Sequence, residues 1–129
     1  MASIIKVETL QDTAGNNAVD MQYVSSGSAK AWIFTTDKTS YVPTGSFNVS
    51  SMTDNNTGRP ETNFTNSFND TNIVAGFDGG YNRLVGSYTS DGGITTSTFA
   101  HYLISTGGSN ADVATTGVGF GASYLGDLA

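Results

Sequence analysis

The chain has 129 residues, no cysteine and a formal net charge of −6, with 12% of residues charged and 11% aromatic. The missing cysteines exclude disulfides, thiolate metal sites and thiol nucleophiles, and five basic residues against 11 acidic ones leave too little Lys and Arg to neutralise nucleic-acid phosphates. The length fits one domain that buries roughly two-thirds of its unfolded surface, and the low charge beside many aromatics is the opposite of a disordered composition.

Neither membrane insertion nor export is expected. No apolar run approaches the ~20 residues of a membrane span, and Met1 to Lys6 lacks the basic start and apolar stretch of a signal peptide.

Taken in chain order, the pattern predicts strands separated by turns, with helix almost absent. Ile5 to Thr9 alternates as a first strand, followed by a turn at Gly15-Asn16-Asn17. Ala29 to Thr35 reads as a stronger strand, with Ala31 and Ile33 on one face and Trp32 and Phe34 on the other. Phe47 to Thr65 is predicted to be a single hairpin, closed by the turn Asp54-Asn55-Asn56-Thr57-Gly58.

Asn72 to Phe77 and Tyr81 to Thr89 follow, and the Asp-Gly-Gly turns at Asp78 and Asp91 predict a meander in which these strands pair. Thr95 to Ser105 presents Phe99, His101 and Leu103 on one face, and Ala114 to Phe120 is the last predicted strand. About seven short strands at this spacing indicate an all-β fold, an antiparallel β-sandwich or jelly-roll-like module. Several strands are apolar on both faces, so an outward face is expected to meet another subunit. The expected division is an N-terminal strand and attachment segment over 1–26, the sandwich module over 27–121 and a C-terminal tail over 122–129.

Reactive chemistry is sparse. His101, the single histidine, lies mid-strand, where a packed structural imidazole outweighs a general base, and no Gly-x-Ser-x-Gly elbow accompanies it. The oxygen-rich Asp54 to Gly58 segment resembles part of a calcium loop but lacks the distal Glu, and a hairpin turn demands the same residues. No metal, cofactor or catalytic residue is expected, and the chain is read as a non-enzyme. Tyr41, Tyr81 and Tyr88 flank predicted turns, where exposed rings could stack on a sugar, although core filling is the commoner use of large rings.

Gly27-Ser28-Ala29-Lys30-Ala31-Trp32, then Gly45 through Gly58 with its Ser46-Phe47-Asn48-Val49-Ser50-Ser51 core, then Asn63-Phe64-Thr65 form a set that resembles a module of tail-fibre and related virion proteins in marine and cyanobacterial tailed bacteriophages. The segment Lys6 to Asn16 resembles the stretch that leads into that module, and Ala111 to Gly121 loosely resembles its final strand. The resemblance implies a β-rich virion component on the tail or capsid surface, commonly a homotrimer, and brings no catalytic residues. The implied partners are further copies of the chain, other virion proteins and a host-surface glycan. Capsid decoration, as a head fibre, and a carbohydrate-binding module are the alternatives. Because the module starts here at Met1, docking is expected through the ends of the chain, with Ile4, Ile5, Val7, Leu10, Leu125 and Leu128 as candidates.

Overall fold

A computed structural model describes residues 6–15, 18–37, 40–79, 83–87, 93–105, 107–111 and 119–129. Ten strands and one short helix occur among them: β1 Thr9–Leu10, β2 Val19–Asp20, α1 Met21–Gly27, β3 Ala31–Thr35, β4 Gly45–Phe47, β5 Val49–Asp54, β6 Pro60–Phe64, β7 Val74–Asp78, β8 Arg83–Ser87, β9 Thr98–Ser105 and β10 Phe120–Leu125. β1 and β2 form a two-stranded ribbon, and the rest make two four-stranded antiparallel sheets in the orders β4-β3-β10-β7 and β5-β6-β9-β8. The all-β antiparallel sandwich expected from the strand spacing is the fold.

Period-two alternation builds the core from both sheets. Ala31, Ile33 and Thr35 point inward from β3, and Phe120, Ala122 and Tyr124 from β10. Opposite them, Thr62 and Phe64 of β6 and Phe99, His101 and Leu103 of β9 are buried. Aromatic edges join the layers: Phe64 and Tyr124 have centroids 5.0 Å apart at 79°, and His101 and Phe120 are 5.0 Å apart at 66°. Such edge-to-face pairs add to plain area burial.

The Phe47–Thr65 reading needs a correction. β5 and β6 do pair as a hairpin with a bulge between Val49 and Ser51, but Phe47 belongs to the other sheet, paired with Trp32. The chain crosses between layers at Asn48, whose φ of 55° is a left-handed conformation that asparagine tolerates better than most residues. Its side chain fastens the crossing. Nδ2 donates to the carbonyls of Lys30 and Asn66, each at 3.2 Å, and Oδ1 accepts from the Asn66 backbone N–H at 2.8 Å and from Asn66 Nδ2 at 3.0 Å.

The predicted meander is also corrected. β7 pairs with β10 and β8 pairs with β9, so the chain after Asp78 passes from one sheet to the other instead of turning back beside β7. The predicted tail is in large part a central strand: β10 lies between β3 and β7. Beyond it, Asn69 N–H donates to Asp127, Ala129 N–H donates to Ser67, and Phe68 bridges to Leu128. The short helix α1 escapes sequence reading because it has no side-chain cap, no acidic residue in its first turn and no basic residue in its last.

Candidate functional site

Two places gather polar or exposed groups that chemistry could use. The first is sealed inside the sandwich. Thr62 Oγ1, His101 Nε2 and Tyr124 OH form a triangle with sides of 2.9, 2.8 and 2.7 Å. All three residues are fully buried. Rings of Phe77, Phe99, Phe120 and Tyr124 surround the imidazole with centroids 5.0–5.8 Å away. His101 Nδ1 has no hydrogen-bond partner. Burial depresses the imidazole pKa to about 3, so His101 is neutral at ordinary pH. Burial pushes the Tyr124 phenol up, partly opposed by its hydrogen bond with Thr62. Enclosed by rings and away from solvent, this triangle orders the core and reaches no substrate.

The second place is the outer face of the β4-β3-β10-β7 sheet. Register fixes two rows across the four strands. Phe47, Trp32, Ser123 and Gly76 form one row, and Gly45, Phe34, Gly121 and Asp78 form the next. Trp32, Phe34 and Phe47 are 42%, 41% and 55% exposed. The rings of Trp32 and Phe34 rest on glycine. A Cβ at Gly45 would lie 3.4 Å from the Trp32 ring, and one at Gly119 only 2.7 Å from that of Phe34. Beside the rings, a shallow open depression of about 390 Å³ is lined by Gly76, Phe77, Asp78, Gly121, Ala122 and Ser123.

The residues chosen from sequence divide differently. Tyr41 is corrected outright. It is fully buried in the core, with a φ of 51°, so its ring cannot stack on a ligand. The loop around it is held by Thr35 Oγ1, which donates to the Val42 carbonyl at 2.6 Å. Tyr81, Tyr88, Ile4 and Ile5 lie outside the described residues. Val7 and Leu10 are exposed, at the ribbon end of the molecule. Leu125 is half-buried at the end of β10, paired with Val74, and Leu128 is exposed next to the Phe68 bridge. Neither lies on a free tail.

Asp54 to Gly58 is a turn that spends its polar groups internally. Arg59 N–H donates to the Asn56 carbonyl, and Thr57 N–H to Asn56 Oδ1, both at 2.8 Å. Among the described residues, no group of three or more His, Asp or Glu side chains is placed to hold a metal ion. The exposed aromatic face is half legible in the sequence: the alternation in β3 sets Trp32 and Phe34 opposite Ala31 and Ile33 but does not say which pair faces solvent. Compared with known proteins, the chain matches no family model, no curated protein and no solved structure.

Proposed function

We propose that the protein is a structural virion component of a tailed phage, a tail-fibre-like module that assembles with copies of itself and with other virion proteins. The observation that carries this reading is what the motif residues do. Lys30, Asn48 and the Thr65-Asn66 segment, at or beside the motif positions, meet at one crossing and hold the two sheets together. A motif spent on interlocking a sandwich fits a module whose task is to keep a shape. The non-enzymatic reading accords with a core histidine that is enclosed and neutral.

Docking is assigned to the N-terminal ribbon and helix. Both ribbon strands are exposed along their length, and Val7, Leu10, Val19 and Val24 are 37–51% exposed. Apolar side chains gathered on a two-stranded ribbon lack the core that such a ribbon needs for stability, and a partner surface supplies it.

Mass spectrometry of particles purified from the phage that encodes the chain tests the reading. The protein is expected in washed particles, in tens of copies or fewer for a fibre and in hundreds for capsid decoration. Its absence from particles, together with a 13.4 kDa monomer in solution, would overturn it.

A further inference from the structure

We infer that the outer face of the β4-β3-β10-β7 sheet pairs with the same face of a second copy about a two-fold axis parallel to the strands, each exposed ring seating on a glycine or serine of the partner. This contact is separate from the ribbon docking and does not rest on it, because the sandwich alone builds it.

The face divides into a ring half and a small-residue half. Trp32, Phe34 and Phe47 stand on β3 and β4 and are 41–55% exposed, which gives an outer face the composition of an inner one. β10 and β7 carry Gly121, Ser123 and Gly76 in the same rows, and there the sheet surface drops into its shallow depression. Stacked sheets pack about 10 Å apart when large side chains on one meet small ones on the other.

Each row is complementary to its own reversal. From β4 to β7 the rows run Phe47-Trp32-Ser123-Gly76 and Gly45-Phe34-Gly121-Asp78. A two-fold axis in the interface and along the strands lays β4 over the partner's β7, and β3 over the partner's β10. Phe47 then meets the partner's Gly76, Trp32 meets the partner's Ser123, and Phe34 meets the partner's Gly121. Every ring faces a residue with little or no side chain, and every contact occurs twice, as two-fold symmetry requires. A two-fold axis across the strands lays β3 on β3 and β4 on β4 instead, so rings meet rings and the small residues stay apart.

Charge permits the arrangement. Asp78 already has an interaction partner in its own chain, and it stands on edge strand β7, where it meets the partner's Gly45 at the rim. The two Asp78 positions lie three strand spacings apart, about 14 Å, which exceeds the screening length of about 8 Å at physiological salt.

Area sets the strength. Four strands of about five residues cover roughly 300 Å², well below the ~800 Å² per partner of a stable complex. A Kd on the order of 100 µM is expected, so the faces stay apart at low-micromolar protein. They pair where copies are held close together, at effective concentrations on the order of 1 mM.

Sedimentation equilibrium of the full chain carrying Val7→Asp and Leu10→Asp, from about 20 µM to about 1 mM, tests the contact without the ribbon. A monomer–dimer equilibrium of the 13.4 kDa chain is expected. It should tighten between about 50 and about 500 mM salt, because each copy carries a net charge of −6. Trp32→Lys and Ser123→Asp, each added to that chain, should each weaken pairing at least roughly tenfold. An equimolar mixture of the two should restore a 1:1 pair, because the introduced lysine and aspartate then face each other while the second Trp32–Ser123 contact is native. Circular dichroism checks folding. Should Trp32→Lys fail to fold, Phe47→Lys with Gly76→Asp as its complement carries the same test. Four results would overturn the proposal: a monomer at about 1 mM, pairing that survives either substitution, a mixture no tighter than its parts, or weakening by salt. None of them bears on the ribbon, whose failure would show instead as a wild-type chain that is monomeric at low-micromolar concentration.

Discussion

Thr62 Oγ1 and His101 Nε2, on neighbouring strands β6 and β9, lie 2.9 Å apart in a core otherwise built mainly from aromatic and aliphatic side chains. With Tyr124 OH they satisfy one another, and the imidazole is the only titratable nitrogen of a histidine in the chain.

That arrangement makes stability depend on pH. Burial holds the folded pKa of His101 at about 3, against 6.5 in the unfolded chain. Between those values the unfolded state binds a proton that the folded state refuses. The contribution is therefore complete above about pH 6.5 and falls by about 1.4 kcal/mol per pH unit as the pH drops towards 3. Urea unfolding of the wild-type protein and His101→Gln between pH 7 and 4 should show a steeper loss in the wild type. Parallel profiles would contradict the burial of a neutral imidazole.

Gly58 should be intolerant of any side chain. Its φ is 68°, and an added Cβ would lie 2.5 Å from the Leu103 carbonyl and 2.7 Å from the Ala111 nitrogen. Backbone cannot give way as a flexible side chain does, so Gly58→Ala should cost about 3 kcal/mol or more. Gly15 has a similar φ of 75° with nothing nearby, and Gly15→Ala should cost only the conformational term of about 1–2 kcal/mol. Denaturant midpoints of the two variants provide the comparison.

Asn48 should behave as a fastening between the sheets. Alanine loses hydrogen bonds to Lys30 and Asn66 and must still adopt a left-handed backbone. Asn48→Ala is expected to lose about 2–3 kcal/mol, lowering Tm by roughly 10 °C. Asn48→Gly removes the same bonds without the backbone penalty and should be the milder of the two in thermal melts.

The N-terminal ribbon should govern assembly without governing the fold. Val7 and Leu10 are exposed, so Val7→Asp with Leu10→Asp should leave the sandwich folded by circular dichroism, with Tm lowered only by the stabilisation that association supplies. Native mass spectrometry should show the wild type as three chains of 13.4 kDa and the double variant as one.

Much of the fold was legible because alternation survives wherever one face is buried. Ala31 and Ile33 against Trp32 and Phe34, and Phe99, His101 and Leu103 together, are arranged as the period-two pattern indicates. Alternation misleads where it runs through a break: Phe47 and Val49 keep step across Asn48 although they serve different sheets. The expected tail starts at Ala122 because the Gly, Ala and Ser around it carry little hydrophobic signal, yet Ala122 to Leu125 continue the strand that begins at Phe120, whose place between two strands supplies the stabilising contacts. Tyr41 sits in a segment with turn composition, and only tertiary packing draws it inward. The candidate site was legible as an alternation in β3, while the trough beside it depends on β7 and β10 meeting, which no local pattern encodes.

The central claim is that this sandwich is a structural part of a tailed-phage particle, and a reconstruction of the intact particle tests it most directly. The account predicts copies of the two-sheet module on the tail or capsid surface, joined through the β1-β2 ribbon. Particles with no density for the module would contradict the claim.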